Sequence, residues 1–385
     1  MDDFNLWVAD TATEKNRDTK LDDVTEMKSR NTHHATRKKM ASATSVGNKR
    51  RTRPLTLNQE VVDRVFDHAF DLGIASSREA LNMQLNQMYQ QAPRGLIRSQ
   101  ISWTTYGWAC IVGCTACSSG CIFCYAKMLH DRRHEIYLKN NGCWKPDGKR
   151  MPVQYAKPFG EIQLLTERLG MPLRTRTPGR VFVNASSDVF HEEVPIDYIQ
   201  KMFLVMGSCP HLRFQILTKR AKRLHELADR LPWFDNIEMG VTVDDHNAVK
   251  RAELLKQTPA KTKWVSAEPL LSPLREMNLS GLDWVVAGGE TGAKEQKIRA
   301  AHPDWYRELR AACREANVAF FFKQTGDWVH ESQLADTGLT GSTAGRPIHE
   351  WPDGTRSFRF GRVIRHDILD GQKLQEYPTN WASLN

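Results

Sequence analysis

The sequence has 385 residues and contains no apolar run of about 18 residues, the length that a membrane-spanning helix needs. Its first eighteen residues, "MDDFNLWVADTATEKNRD", are rich in acids and have no apolar core, so we expect no secretory signal there. Both absences predict a cytoplasmic protein without a membrane partner, in a compartment where thiols stay reduced. A disulfide framework for the eight cysteines is therefore disfavoured.

Acidic residues are also missing from Ser29 to Pro54, although the chain carries 45 of them and a formal charge of +9. The same segment holds eight basic residues: Arg30, Arg37, Lys38, Lys39, Lys49, Arg50, Arg51 and Arg53. Such a block without periodicity predicts a disordered basic arm, residues 1–54, that contacts nucleic acid. The alternative is a solvated tail that binds nothing specific.

Apolar residues return after the arm at helical spacing. Val62, Val65, Phe66 and Ala69 share one face, which predicts a first helix. Ser76 or Ser77 is placed to cap a second helix, whose apolar positions are Leu81, Leu85 and Met88. We expect a small helical module over residues 55–100.

The next part of the chain, residues 101–328, alternates short β-rich runs with amphipathic segments. The runs are "RVFVNASSD", "RFQILTKR", "IEMGVTVD", "KWVSAEPLL", "DWVVAGGE" and "AFFFKQ". This alternation predicts an α/β fold with a parallel sheet. We expect a full or partial (β/α) barrel, with a doubly wound open sheet as the alternative. Residues 329–385 form a C-terminal appendage in this interpretation, with some β structure.

Polar or small residues end nearly every one of these runs. Because the carboxyl ends of barrel strands meet at one face, we expect an active site there. The alternative is that these residues only form turns and caps. The candidates are Ser186, Ser187, Asp188, Thr218, Lys219, Arg220, Asp244, Asp245, Glu268, Gly288, Gly289, Glu290, Lys323 and Gln324.

Sulfur is concentrated in "GWACIVGCTACSSGCIFCYAKMLHDRR". Cys114-x2-Cys117 and Cys121-x2-Cys124 make two pairs, and a structural zinc site is one interpretation. Only three residues separate the pairs, which is short for a zinc fold. A cubane iron–sulfur cluster is the other interpretation, because one loop with cysteines at short steps can wrap it.

The spacing Cys117-x3-Cys121-x2-Cys124, with Phe123 before the last cysteine, resembles that of the radical S-adenosylmethionine (SAM) superfamily. The resemblance implies a [4Fe-4S] cluster with three thiolate ligands and an open fourth iron that chelates SAM. It also implies one-electron cleavage of SAM to a 5′-deoxyadenosyl radical, and an electron donor such as flavodoxin or ferredoxin.

Several segments are similar to a phage-associated family of radical SAM-like proteins, with distant similarity to spore photoproduct lyase-type enzymes. They are "ISWTTYGW", "VFVNASSDVFHEEVP", "FQILTKR", "WVSAEPLL", "LDWVVAGGETG" and "HPDWYRELRAACREANVAFFFKQTG". The family's spacing, cysteine-x6-cysteine-x2-cysteine, implies Cys114, Cys121 and Cys124 as ligands. The superfamily's spacing implies Cys117 in place of Cys114, and this sequence satisfies both. If the protein is viral, its location is the host cytoplasm.

SAM needs partners for its carboxylate, amine and ribose. Asp188 and Glu268 are candidates to accept from the ribose or the amine, and Lys219 and Arg220 to pair with a carboxylate or phosphate. The "GGE" turn of Gly288, Gly289 and Glu290 is a candidate for close ligand approach.

Substrate chemistry rests on the basic arm and on the phage resemblance. The first hypothesis is a radical SAM enzyme acting on DNA, in a base hypermodification such as isomerisation of a modified thymidine. Trp103, Trp108, Trp144 and Tyr155 would stack on a base or belong to the core. The alternatives are a lesion lyase similar to spore photoproduct lyase, a zinc-stabilised nucleic-acid-binding protein without catalysis, and a radical SAM enzyme for a peptide or metabolite.

Overall fold

The computed structural model describes residues 54–293, 295–337, 343–361 and 366–379. The chain divides into two units, Met1–Pro54 and Leu55–Asn385, and the second is described below. The predicted arm lies outside the described residues, except for Pro54. Its candidate nucleic-acid contacts are therefore outside them too, namely Arg37, Lys38, Lys39, Lys49, Arg50, Arg51 and Arg53.

Seven α-helices lie in the described residues. They are α1 (Gln59–Asp71), α2 (Arg78–Gln91), α3 (Tyr125–Lys139), α4 (Ile196–Gly207), α5 (Ala221–Leu227), α6 (Lys250–Lys256) and α7 (Pro303–Glu315). None of these described helices has the length and apolar composition that crossing a bilayer requires.

The predicted helical pair after the arm is confirmed as α1 and α2. The side chain of Ser77 caps α2 by accepting a hydrogen bond from the amide of Ala80 at 3.1 Å. The apolar faces of both helices join the main core and do not form a core of their own. Arg64 on α1 adds a bond to the carbonyl of Gly207, at the end of α4.

Thirteen short strands lie in the same residues. They are β1 (Ile97–Arg98), β2 (Tyr106–Trp108), β3 (Ile111–Val112), β4 (Gln163–Leu164), β5 (Gly179–Val183), β6 (Leu212–Thr218), β7 (Ile237–Thr242), β8 (Thr262–Ala267), β9 (Trp284–Gly288), β10 (Ala319–Gln324), β11 (Trp328–His330), β12 (Ile348–Glu350) and β13 (Arg356–Arg359). All six predicted β-rich runs contain a strand.

The central sheet has the order β1-β2-β5-β6-β7-β8-β9-β10. All neighbours from β2 to β10 are parallel, and β1 is antiparallel to β2. The predicted parallel sheet is thus confirmed. The doubly wound alternative is wrong, because the strand order follows the chain without reversing.

A full barrel is not present in the described part of the chain, where no hydrogen bonds join β1 to β10. The physical reason lies at the two edges. β1 is a two-residue antiparallel strand, and β10 pairs with a returning C-terminal segment. The amide of Phe322 donates to the carbonyl of Leu374 at 2.8 Å, and that of Glu376 to Phe320 at 3.1 Å. The C-terminal segment therefore covers the β10 edge without closing the sheet.

The two faces of the sheet bury different residues. One face packs on the helices through aliphatic side chains such as Val181, Val241 and Val285. On the other, Trp103 packs edge-on against Phe182, Trp264 and Trp284 at ring distances of 5.1, 5.6 and 5.6 Å. We call this second face the inner face of the sheet. The aromatic cluster fills the half of it that is nearer the amino ends of the strands.

After β10 the chain forms a small antiparallel sheet in the order β11-β13-β12. Its own apolar cluster consists of Val329, Phe358 and Phe360. The expectation of β structure in the C-terminal appendage is confirmed.

Candidate active site

The cysteine loop runs from Gly113 to Cys124, between β3 and α3. Gly113 has φ of +99° and bridges to Ser187, after the end of β5. A Cβ there would meet the carbonyl of Glu161 at 2.4 Å, so the turn requires glycine. Because β3 runs into the loop and Ser187 follows β5, the loop lies at the carboxyl edge of the parallel sheet. The loop therefore lies at the edge of the sheet where the strand-end residues meet.

Two aspartates after β7 hold the second half of the loop. Oδ2 of Asp244 accepts from the hydroxyl of Ser118 at 2.6 Å and from the amide of Gly120 at 2.9 Å. Oδ2 of Asp245 accepts from the hydroxyl of Ser119 at 2.7 Å. A Cβ on Gly120 would lie 2.4 Å from Oδ2 of Asp244, so this close approach also depends on a glycine.

Arg220 holds the first half of the loop. Its Nη2 donates to the carbonyl and the hydroxyl of Thr115 at 3.1 and 2.9 Å. Its Nη1 lies 3.6 Å from Sγ of Cys114 and 3.8 Å from Sγ of Cys117. The predicted role as a partner for a carboxylate or phosphate of a ligand does not fit, because the side chain is 6% exposed and these groups already occupy it.

Asp188 organises the ends of β5 and β6. Its Oδ1 accepts from the hydroxyl of Thr218 at 2.7 Å and the amide of Phe190 at 2.9 Å. Its Oδ2 accepts from the amide of Lys219 at 3.0 Å and lies 3.4 Å from Nη1 of Arg220. With both oxygens so engaged, Asp188 supports the loop through Arg220.

Three thiols of the loop influence one another. The hydrogen bond from Cys117 is the largest cause that lowers the pKa of Cys121, to about 4, and the same bond raises the pKa of Cys117. Burial, aided by Asp188, raises the pKa of Cys114 to about 11. The thiols of Cys117 and Cys121 are therefore close enough to share a hydrogen bond. Cys124 stands at the start of α3, as the residue before Tyr125.

The other cysteines are Cys110, Cys143, Cys209 and Cys313, and each is a free thiol. Burial raises the pKa of Cys110 and Cys313 to about 12. These two are neutral side chains of the main apolar core.

A second polar group lies on the inner face at the ends of β8, β9 and β10. Lys323 and Glu268 form an ion pair at 2.8 Å, and the hydroxyl of Ser266 donates to the other oxygen of Glu268 at 3.3 Å. A Cβ on Gly288 would stand 2.7 Å from Oε1 of Glu268, so the carboxylate passes over a bare backbone. Lys219 lies near this group, because its Nζ is 3.4 Å from the hydroxyl of Thr242, whose partner in β8 is Ser266.

Gly289 and Glu290 have structural partners in this arrangement. A Cβ on Gly289 would lie 1.9 Å from the carbonyl of Thr325, so this glycine permits backbone packing. Arg299 donates to Glu290 from its amide at 2.9 Å and from its guanidinium. The same guanidinium donates to the carbonyl of Ser119 at 3.0 Å and lies 5.7 Å above the ring of Phe123. Glu290 thus orients a third support of the loop.

Three of the candidate stacking aromatics belong to the interior. Trp103, Trp108 and Tyr155 are 3%, 1% and 4% exposed, so none presents a ring face to a base. Trp144 is partly buried, and its ring stands 6.4 Å from that of Tyr155. The core interpretation applies to the first three.

The loop fits an iron–sulfur cluster in its chemistry. Within the residues that the structure describes, no three His, Cys, Asp or Glu side chains converge as ligands of a single metal ion. A four-iron cluster lies between its thiolates, so its ligands stand farther apart than those of one ion. The available donors are all thiols, and the cationic Arg220 beside them suits an anionic cluster.

A family model with the description "Protein of unknown function (DUF5131)" matches residues 98–378. The chain belongs to this family. The DUF5131 match begins in β1 and ends after the segment that pairs with β10, so it includes the sheet, the loop and its supports. No curated protein matches the sequence.

Among solved structures, the chain is similar to a spore photoproduct lyase double mutant with bound AdoMet and dinucleoside spore photoproduct. The TM-score is 0.37 at 11% identity, over 81% of this chain and 92% of that chain. Spore photoproduct lyase complexed with dinucleoside spore photoproduct gives 0.36 at 10% identity, over 80% and 92%. TM-scores and identities this low carry no argument about function, so the proposed function rests on the cysteine loop.

Sequence reasoning missed Arg299, Glu192 and the loop hydroxyls as parts of the site. Nε of Arg220 donates to Glu192 at 2.8 Å, and this glutamate belongs to the quoted "VFHEEVP" segment. Arg299 lies in a stretch without regular secondary structure, where no periodicity could indicate its direction. Ser118 and Ser119 come next after Cys117, and this position beside a candidate ligand was the sequence signal for their role.

Proposed function

We propose that this protein is a radical SAM enzyme whose cysteine loop binds a [4Fe-4S] cluster. The observation that carries the proposal is the contact among Cys114, Cys117, Cys121 and Arg220 at the carboxyl edge of a parallel sheet. Cys121 and Cys124 are ligands in this proposal, and either Cys114 or Cys117 is the third. The open sheet then corresponds to a partial (β/α) barrel.

A bound cluster with one open iron would supply the electron that cleaves SAM. The chain itself contributes a loop that is held from three directions, by Arg220, by Asp244 and by Arg299. Such support keeps the thiols in one arrangement, since each anchoring side chain is partly or fully buried and is itself bonded.

SAM would bind on the inner face beside the loop. Lys219 has one weak side-chain contact, at 3.4 Å, and is placed to pair with a carboxylate. Glu268 is placed to accept from an amine or a ribose hydroxyl, and the bare backbone of Gly288 allows close approach. Asp188, Gly289 and Glu290 serve the scaffold in this proposal, because their polar atoms or backbone are already engaged.

The substrate class in this proposal is nucleic acid, with DNA base modification as the reaction type. What supports it is the basic block between Ser29 and Pro54, together with the charge of +9. An electron donor such as flavodoxin or ferredoxin is required to reduce the cluster. A base in a duplex must leave the stack before its atoms can react at the inner face.

The deciding experiment is anaerobic reconstitution with iron and sulfide, followed by reduction, addition of SAM and DNA, and assay of 5′-deoxyadenosine. We expect formation by the wild type and by Cys143→Ala, and none by Cys121→Ala. Cys143 is the matched control, because it is a partly buried thiol outside the loop. A wild type that takes up stoichiometric zinc and no iron would instead establish a structural metal site.

A further inference from the structure

Arg220 occupies an unusual position for a buried arginine. It is the second residue after Thr218, which ends β6, and its side chain is 6% exposed. Its amide donates to the Thr218 hydroxyl at 2.9 Å, which fixes the backbone. Nε donates to Glu192 at 2.8 Å, and Nη1 lies 3.4 Å from Asp188, so two carboxylates set the plane of the guanidinium.

The opposite edge of that plane faces the cysteine loop. Nη2 donates twice to Thr115, through its carbonyl and its hydroxyl. Nη1 stands between the sulfurs of Cys114 and Cys117, at 3.6 and 3.8 Å. Both candidates for the third ligand therefore meet the same positive charge.

We propose that Arg220 is a positioning residue for the cluster, which sets its reduction potential by placing a fixed cation against the sulfurs of Cys114 and Cys117. This inference rests on the proposed function. Whichever of the two sulfurs ligates iron, the guanidinium lies beside that ligand, and the other sulfur remains its hydrogen-bond acceptor.

The physical argument concerns the electron that reduction adds. The potential of an iron–sulfur cluster depends on its net charge, on hydrogen bonds to its sulfurs and on its exposure to solvent. A cation in a poorly solvated position stabilises the more negative, reduced state more than the oxidised state. Arg220 supplies both a charge and a hydrogen bond to sulfur, so its removal lowers the potential.

Arg223 provides a matched control on α5, the helix that begins directly after Arg220. It is partly buried, and its guanidinium donates to the carbonyls of His191 and Val194. Neither of these bonds involves a thiol. Replacing it tests whether any loss of an arginine in this region moves the potential.

The experiment measures the midpoint potential of the reconstituted full-length protein by spectroelectrochemistry and electron paramagnetic resonance, together with iron content. We expect Arg220→Gln to shift the potential downward, and Arg220→Lys, which keeps the charge, to stay close to the wild type. Arg223→Gln should leave it unchanged. Equal potentials in the wild type and Arg220→Gln, at equal iron content, would overturn the inference and leave the proposed function standing.

Three further outcomes are informative. If Arg220→Gln fails to bind iron while Arg220→Lys binds it with an unshifted potential, the charge is required and the inference is supported. If Arg220→Lys binds the cluster but has a clearly lower potential, the charge is not the determinant and the inference fails. A wild type without any cluster would overturn the proposed function and this inference together.

Discussion

The hydroxyl of Ser118 donates a hydrogen bond to Oδ2 of Asp244 over 2.6 Å. This contact joins the cysteine loop to the second residue after β7, across 126 positions of sequence. The same carboxylate accepts from the amide of Gly120, and its other oxygen lies 3.1 Å from Nη1 of Arg251. A buried acid at a strand end therefore links the loop to the sheet and to α6.

The first prediction concerns this link. Asp244→Ala leaves Arg251 half-paired and the Ser118 hydroxyl without its acceptor, so we expect a loss of about 3–5 kcal/mol in the free energy of unfolding. Denaturant titration of the apo protein measures it. Asp245→Ala is the comparison, since it removes a cap at a partly exposed position and should cost about 1 kcal/mol. Equal losses for the two variants would contradict the assigned role of Asp244.

The second prediction concerns Gly288. A methyl group at Gly288 would stand 2.7 Å from Oε1 of Glu268, so Gly288→Ala must displace the carboxylate from Lys323. We expect the rate of 5′-deoxyadenosine formation to fall roughly tenfold, which is about 1.4 kcal/mol in the barrier. Gly160→Ala is the control, because nothing lies within 4 Å of its new methyl group. A normal rate in Gly288→Ala would remove the Glu268–Lys323 pair from the site.

The third prediction assigns the ligands. Cys121→Ala and Cys124→Ala should each lose the cluster, and only one of Cys114→Ala and Cys117→Ala should do so. The reason is that three thiolates leave the fourth iron open, and the loop has four thiols for three positions. Iron and sulfide analysis with the absorption spectrum provides the measurement. Full iron in both Cys114→Ala and Cys117→Ala would rule out the cluster model.

The fourth prediction concerns the basic arm, whose structure lies outside the described residues. Deleting residues 1–54 removes eight basic side chains between Ser29 and Pro54, so DNA affinity should fall. The slope of log affinity against log salt concentration should weaken by about 0.9 for each lost phosphate contact. Fluorescence anisotropy over a salt series measures both. A full-length variant with the eight residues changed to glutamine separates charge from length, and unchanged slopes would refute DNA binding by the arm.

The fifth prediction is a pH dependence that originates in the small C-terminal sheet. Burial, followed by the neighbouring His302, lowers the pKa of His330 below its ordinary value of 6.5. Nδ1 of His330 accepts from the amide of Ser332 at 3.1 Å, and protonation there would break that bond. Because the folded state disfavours the charged form, the stabilisation is present above pH 6.5 and is lost as the pH falls through the lowered pKa.

Thermal unfolding between pH 8 and pH 5 tests this expectation. The wild type should lose stability as the pH falls, and His330→Gln should show a flatter profile. Parallel profiles for the two proteins would show that His330 does not contribute to the acid sensitivity.

The sequence was sufficient for the parts of the fold that depend on local pattern. The spacing of Val62, Val65, Phe66 and Ala69 predicted α1, and every predicted β-rich run contains a strand. A strand that is buried on both faces reads as a continuous apolar run, and a helix shows a period near 3.6, so both signals survive without tertiary information. The cluster of cysteines and the polar residues at the strand ends were visible in the sequence in the same way.

The roles of individual polar residues needed the tertiary structure, because their partners are distant in sequence. Asp188 and Arg220 looked like ligand contacts as single residues, yet they bond to each other, and Arg220 bonds to the loop. The edges of the sheet were equally hidden. The C-terminal segment around Leu374 covers β10 over a separation of about fifty residues, and this pairing is visible only in three dimensions.

What local chemistry encodes is therefore the set of strands, helices and thiols. Long-range packing determines which charged side chains lie next to those thiols. Hydrogen bonds and ion pairs act over a few ångströms, whereas the sequence places their members a hundred residues apart, as Cys114 and Arg220 are.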